Sequence, residues 1–470
     1  YSSNRGALFP VGSFGHTGYT GTSIWIDPFS QTYVIILANA VHPGAHGNII
    51  PLRSKIATLA AAAFGHVPTT AELTRRLSLT SYYELLYGFR APRLRNGHVL
   101  TGIDVLEAEH FAPLTGKRIG LITNQTGQDG QGRRTIDVLH QAPGVNLRAI
   151  FTPEHGLHGF ANGAVANGRE PVTGLPVYSL YGATQRPSPQ MLNGLDALVY
   201  DVQDVGVRFY TYITTLGYGM QAATRAGIPI YVLDRPDPLG GAAVEGPLLD
   251  RNLISFTGYF PLPVRDGMTL GELAKMFNHE DRIGANLHVI KMHGWRRTDW
   301  FDETGLAWVN PSPNLRNLTE TILYPAVGMI EGANVSVGRG TDTPFEVLGA
   351  PWIDGRKLAA YLNERRVQGV RFIPVDFTPT RAEFKGIRCH GVSIQLLDRQ
   401  ALDSPELGVE LASALAQLFP NDFLLEKTLP LVGSYGVIAA IKSGEDPRAI
   451  AREWQAALSS FLSMRAKYLL

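Results

Sequence analysis

A single cysteine, Cys389, occurs in 470 residues. No intrachain disulfide can form, and a cysteine-based zinc cluster is excluded. Compartment is therefore not written in the cysteines, because a protein of an oxidising compartment can simply lack disulfides. Excess charge is also missing: 42 basic against 41 acidic residues leave a formal net charge of +1. That removes any global electrostatic reason to expect nucleic acid or an anionic membrane as partner. No apolar run reaches transmembrane length, and no signal-peptide pattern is found. The chain starts at Tyr1 rather than Met, which fits a removed leader or a piece of a longer protein. No Gly-x-Gly-x-x-Gly follows a strand pattern and no Walker-type loop is present, so no cofactor is expected. Glu154-His155-Gly156-Leu157-His158 lacks the His-Glu-x-x-His spacing, and its glycines oppose a helix. No metal is expected either.

What is present is a globular composition, 44% hydrophobic and 18% charged, with 50 Gly and 30 Pro. The length calls for two or three domains. Residues 23–27 and 32–37 read as two antiparallel strands, and 51–64 reads as a helix. Gly15-His16-Thr17-Gly18 precedes the first strand. This stretch resembles the last conserved box of serine β-lactamase-like hydrolases. The Ser-x-x-Lys nucleophile and Tyr-x-Asn motifs of that fold have no counterpart upstream, so acyl-enzyme chemistry has no nucleophile. Residues 1–65 thus read as the C-terminal fragment of a β-lactamase-like domain, inactive by itself. Residues 66–100 read as a linker, helical in spacing over 71–86 and basic over 90–98.

From residue 101 the pattern alternates. Strand patterns over 117–123, 147–151, 195–200 and 228–233 are separated by helix patterns over 135–141, 188–193 and 215–226. This predicts an α/β fold with a doubly wound parallel sheet over 101–255. A second, smaller α/β domain is expected over 256–470, closing a cleft. It carries a helix over 270–278, a strand over 287–292, short strands over 372–374 and 391–396, and helices over 407–418 and 447–462. Residues 310–314 read as a rigid loop. The glycine-rich stretch 324–341 reads as a second cleft wall.

The predicted strands release polar groups at one end. Pro153-Glu154-His155-Gly156 follows the strand at 147–151. Asp201 and Asp204, then Arg208, Tyr210 and Tyr212, follow the strand at 195–200. Asp234 and Arg235 follow the strand at 228–233, and Asn124 follows the strand at 117–123. Open α/β sheets place ligand chemistry at the carboxyl ends of their strands. Any one of these acids could instead cap a helix or sit in a solvated loop.

Together the motifs resemble one family. Phe151-Thr-Pro-Glu-His-Gly, Tyr200-Asp-Val-Gln-Asp-Val-Gly-Val-Arg-Phe-Tyr-Thr-Tyr, Leu233-Asp-Arg-Pro-Asp-Pro and Glu331-Gly-x-Asn-x-Ser-x-Gly-Arg-Gly-Thr look like those of the exo-β-N-acetylmuramidases, glycoside hydrolase family 171. The likeness runs from about Gly102 to Leu470. It implies removal of terminal N-acetylmuramic acid (MurNAc) from the non-reducing ends of peptidoglycan fragments, so MurNAc–GlcNAc saccharides are the expected partners. It also implies a Rossmann-like domain plus a smaller α/β domain, with Glu154 as the favoured catalytic residue.

Glycoside hydrolysis usually needs two carboxyl groups. Glu154, set among apolar strand ends, fits the general acid. His155 could orient it, bind substrate or serve only the loop. Asp204 ranks first as the second group, ahead of Asp201 and Asp234. The 2-acetamido carbonyl of the substrate could replace that group. The lactyl carboxylate of muramic acid needs a cation, and Arg208, Arg235 and Arg339 are candidates, Arg208 first. Each could equally pair with a neighbouring acid. Tyr210 and Tyr212 could stack on a sugar or pack in the core. Asn124, Glu331, Asn334 and Thr341 complete the expected binding set. A periplasmic or secreted location in the bacterial envelope follows from such a substrate. Two rivals remain: a non-catalytic muropeptide-binding protein, and a serine hydrolase completed by a fuller N-terminal domain.

Overall fold

The structure is a computed structural model, and it describes residues 14–17, 22–27, 32–38, 53, 56, 57, 60, 99–161 and 163–470. The chain divides into two compact units, Tyr1–Arg93 and Leu94–Leu470. The first contains an antiparallel sheet of β1 (Phe14–Thr17), β2 (Ser23–Asp27) and β3 (Thr32–Ile36). The Gly15-His16-Thr17 stretch is therefore a strand itself, paired with β2. Trp25 is buried with Ala57 in a small core cluster. The expected linker helix over 71–86 lies outside the described residues.

In the second unit, β4 (Arg118–Thr123), β5 (Asn146–Thr152), β6 (Gly168–Arg169), β7 (Pro176–Ser179), β8 (Ala197–Asp201), β9 (Ile230–Leu233) and β10 (Leu287–Ile290) form one sheet in the order β10-β9-β8-β4-β5-β7-β6. All neighbours are parallel except the β6–β7 pair at the edge. The strand order reverses between β4 and β8.

Side chains alternate between two cores, as a period of two requires. Ile122, Leu198, Tyr200 and Val232 face one core, which is shared with the helices Tyr212–Ala226 and Leu270–Glu280. Leu121, Ala197, Val199 and Leu233 face the other, with Ile103, Leu106, Ile136 and Leu139. Burial on both faces explains the near-continuous apolar strands.

The domain boundary expected at 255 is corrected by β10. This strand pairs with β9 and belongs to the large sheet, although its sequence lies beyond that point. The smaller sheet, β11 (Val347–Ala350), β12 (Val370–Phe377) and β13 (Cys389–Leu396), is antiparallel with β13 central. The helix Gly355–Arg365 packs on it, and Ser404–Leu418 packs on that helix and on Leu318–Val327. The start of the expected glycine-rich wall is instead the helix Leu318–Val327, capped by Asn317 and containing Pro325. Its residues from Glu320 to Val327 are buried, so surrounding apolar packing, rather than an amphipathic period, makes it a helix. No described helix is long and apolar enough to cross a membrane.

Candidate active site

β5 ends where Pro153 removes the next ladder donor. The Gly156 N–H returns to the Pro153 carbonyl at 3.1 Å, and the Ala161 N–H reaches the His155 carbonyl at 3.2 Å. His155 has φ +72°, a left-handed conformation that costs about 1 kcal/mol for a side-chain-bearing residue. Its Nδ1 donates to the Ala161 carbonyl at 2.7 Å and holds that conformation. Burial lowers the His155 pKa, so the ring is neutral near pH 7. His155 is thereby the latch of the loop that presents Glu154.

Glu154 is half-buried. Thr211 Oγ1 donates to its Oε2 at 2.6 Å. Thr211 is the N-cap residue of the helix Tyr212–Ala226, yet its hydroxyl caps no helix N–H and serves Glu154 instead. The Tyr181 hydroxyl lies close enough to the Glu154 carboxyl to feel its charge. Burial first, then the Glu154 charge, pushes the Tyr181 pKa up to about 12. Tyr181 therefore stays a donor at working pH.

Arg339 completes the group. Its Nη2 donates to Glu331 Oε2 at 2.9 Å, and its Nε pairs with Glu331 Oε1. Burial alone would lower its pKa, but Glu331, then Tyr324 and Glu154, hold it above the ordinary value. The side chains of Arg339 and Glu331 stay 24% and 27% exposed, so the pair can meet a ligand. Tyr324 has its pKa raised by burial and then by Glu331, within the field of Arg339 and Glu154. Glu154, Tyr181, Thr211, Tyr324, Glu331 and Arg339 therefore share one neighbourhood. It lies at the carboxyl ends of β5 and β7, against the 324–339 segment.

Several expected ligands are corrected. Arg208 is buried, and its guanidinium donates to the carbonyls of Pro247 (2.7 Å), Leu262 (3.0 Å), Leu431 (2.7 Å) and Val432 (2.8 Å). It ties distant segments together and, at 1% exposure, presents no surface to a ligand. Asp201 and Arg235 form a buried bidentate pair at 2.6 and 2.9 Å, and Thr135 also donates to Asp201. Asp234 is buried and accepts from Thr269 Oγ1 (2.9 Å) and the Gly271 N–H (2.8 Å). Asn334 is used by the Asp422 carbonyl (2.8 Å) and the Leu424 N–H (2.9 Å). Thr341 closes a local turn onto the Gly338 carbonyl at 2.7 Å.

Asp204 is also buried, accepting the Gly206 N–H at 2.9 Å. Burial, then the charge of Asp237, pushes its pKa up to about 7. Tyr200, Tyr210, Tyr212 and Tyr324 all feel its charge, so it lies buried near the tyrosines, with its Oδ1 unpartnered. That position does not suit a group meant to touch substrate. Tyr210 and Tyr212 are buried and pack edge to face, with ring centroids 4.6 Å apart. Tyr212 donates to the Pro311 carbonyl at 2.7 Å and accepts from Asn124 Nδ2 at 2.9 Å. Asn124 Oδ1 takes the Thr126 N–H and hydroxyl. Both residues fasten the 310–314 loop to the sheet.

Sequence reasoning missed Tyr181, Thr211 and Tyr324. Tyr181 follows β7 as Glu154 follows β5, so the strand-end rule would have found it had the four-residue β7 been recognised. Thr211 and Tyr324 carried no signal of their own. A groove of about 620 Å³ lies among C-terminal helices, lined by Tyr361, Arg365, Phe423 and Lys442 among others. It contains none of these site residues, and the chemistry points to Glu154 rather than to it.

Known proteins are similar to this chain in sequence and fold. The family model described as exo-beta-N-acetylmuramidase NamZ, N-terminal, covers residues 119–319, and its C-terminal counterpart covers 322–470. The peptidoglycan beta-N-acetylmuramidase NamZ of Bacillus subtilis (strain 168) is 44% identical over 377 residues, which are 79% of this chain and 91% of that protein. Crystal structures of two DUF1343 family proteins from Bacteroides fragilis NCTC 9343 also match. One has a TM-score of 0.74 at 37% identity, covering 81% of this chain and all of that one. The other has a TM-score of 0.67 at 31% identity, covering 79% and 98%. The Glu154 neighbourhood draws on both matched regions, and the chain belongs to the exo-β-N-acetylmuramidase NamZ family.

Proposed function

We infer that this chain is an exo-acting glycosidase that releases MurNAc from the non-reducing ends of peptidoglycan fragments, with Glu154 as the proton donor. The observation that carries this is the Glu154 carboxyl itself. It is half-buried at a strand end, with Thr211 fixing one oxygen at 2.6 Å. Orientation by Thr211, with Tyr181 nearby, leaves Glu154 able to offer a proton to the glycosidic oxygen as the bond breaks.

The cation for the lactyl carboxylate is Arg339. Of the three candidate arginines it alone pairs with a partly exposed acid and lies in the field of Glu154. A planar guanidinium already aligned on one carboxylate can bridge to a second. Glu331 stays engaged with Arg339, and Asp204 stays buried near the tyrosines. We therefore assign the nucleophile to the 2-acetamido carbonyl of the substrate, in a substrate-assisted route. Glu154 would then return as base for the water that opens the cyclic intermediate, giving net retention.

The strand order, with its reversal between β4 and β8, supports a Rossmann-like reading of the large sheet. The β1–β3 sheet with its following helical residues supports the tail of a β-lactamase-like domain. A location in the bacterial cell envelope, periplasmic or secreted, follows from a peptidoglycan substrate.

A thiazoline analogue of MurNAc, which mimics the cyclised acetamido intermediate, tests the mechanism. Competitive inhibition well below the Ki of free MurNAc is expected. Inhibition no better than MurNAc, or release of the inverted anomer, would contradict the substrate-assisted route.

A further inference from the structure

Tyr181 begins a row of rings that leads away from Glu154. Its ring packs on Phe256, with centroids 5.9 Å apart and planes tilted by 33°. Phe256 packs on Tyr218 at 6.2 Å and 38°. The Arg186 guanidinium lies over the Tyr218 ring at 3.8 Å. Tyr218 leans edge-on against Tyr259 at 5.9 Å. The Tyr259 hydroxyl is fixed between Gln221 Nε2 (2.9 Å) and Asp281 Oδ2 (2.6 Å), so the row has a rigid back.

The three rings come from three separate segments and are each half-buried, while Arg186 is exposed. Among the described residues no carboxylate is paired with Arg186. A core would bury such rings fully, and a plain surface would not line them up from the reacting carboxyl outward. An aromatic face is electronegative and attracts polarised C–H groups, and a pyranose ring presents them. A cation at the far end, already seated on a ring face, suits an anionic group one sugar further on.

We propose that Tyr181 and Phe256 form a platform for the saccharide on the leaving-group side of the scissile bond, and that Tyr218 seats Arg186 at its far end. Arg186 meets a carboxylate beyond the first leaving sugar. This rests on the reading of Glu154 as the proton donor, since the platform is continuous with that carboxyl through Tyr181. The carboxylate could be the lactyl group of the next muramic acid or a carboxyl of its attached peptide.

The test compares a MurNAc–GlcNAc disaccharide with peptide-free and peptide-bearing tetrasaccharides built from it. Phe256→Ala and Tyr218→Ala should raise KM for the tetrasaccharides about fivefold to tenfold. The kcat and the Ki of free MurNAc, which reads only the sugar that is released, should not move. Tyr218→Phe keeps the ring face and should behave as wild type, and Phe256→Leu keeps the volume but should share the alanine defect. Arg186→Gln should raise KM for the tetrasaccharides and spare the disaccharide. A defect on the peptide-free tetrasaccharide assigns the lactyl carboxylate, and a defect confined to the peptide-bearing one assigns the peptide. Unchanged KM across all variants overturns the platform, as does a parallel shift in the MurNAc Ki. Glu154→Gln reports separately: full activity there overturns the catalytic reading whatever the platform variants do.

Discussion

At the scale of the residue, Glu154 is distinguished by its partners rather than by its charge. Five other charged residues at the strand ends were candidates in sequence, Asp201, Asp204 and Asp234 with Asp204 first, and Arg208 and Arg235 with Arg208 first. Each is buried, and folding has given each a structural task. Asp201 meets Arg235, Asp234 meets Thr269, and Arg208 meets four carbonyls. Those partners lie tens to hundreds of residues away, beyond the reach of a local motif. Glu154 accepts the Thr211 hydroxyl and stays only partly buried. Thr211→Val should lower kcat about tenfold with little change in KM, because a hydrogen bond to a charged group contributes about 1.5–3 kcal/mol. A steady-state assay on the disaccharide checks this, and an unchanged kcat would remove Thr211 from the site. Arg339→Ala should instead raise KM and the MurNAc Ki at least tenfold, whereas a substrate lacking the lactyl group should lose little.

Elements were the most legible scale, and their failures have causes. β4, β5, β8 and β9 fall on the apolar runs because burial on both faces demands such runs. β7 has four residues, too few to show a period. The predicted helix over 447–462 is interrupted at Trp454 between the helices Pro447–Glu453 and Gln455–Arg465. Pro325 disguised the helix Leu318–Val327, because a proline inside a helix removes the N–H that would otherwise reach the Thr321 carbonyl. Arg208 shows how elements are joined, since it links the turn after β8 to the carbonyls of Leu431 and Val432 in the helix Leu429–Val432. Arg208→Met should destabilise the fold by about 3 kcal/mol by stranding buried carbonyls. Thermal melting would show it, while KM of the folded fraction stays put. A raised KM with an unchanged melting temperature would restore Arg208 as a ligand.

For the whole molecule, the notable electrostatic feature is a set of buried acids. Burial raises the pKa of Asp204 to about 7, of Asp234 to about 7, of Asp237 to about 8 and of Asp266 to about 7. Their unfolded values lie near 3.9. Between these limits the folded state binds more protons than the unfolded state, so stability falls as pH rises from about 4 to about 8. Glu170 acts on the acid side. Burial would raise its pKa, but the Thr173 N–H and Arg134 hold it down to about 2, so its contribution is lost as pH falls below about 4. Melting temperature should therefore peak in mildly acidic buffer, and Asp237→Asn should flatten the decline toward pH 8. An unaltered slope in that variant would mean that the acids titrate normally.

The most direct measurement is release of free MurNAc from a MurNAc–GlcNAc disaccharide by the wild type and by Glu154→Gln, each at the same folded concentration. The account predicts release by the wild type and a loss of at least about a thousandfold in the variant, with disaccharide binding retained. Equal release by both proteins would contradict the assignment of Glu154. Binding without release by the wild type would make the chain a muropeptide-binding protein instead.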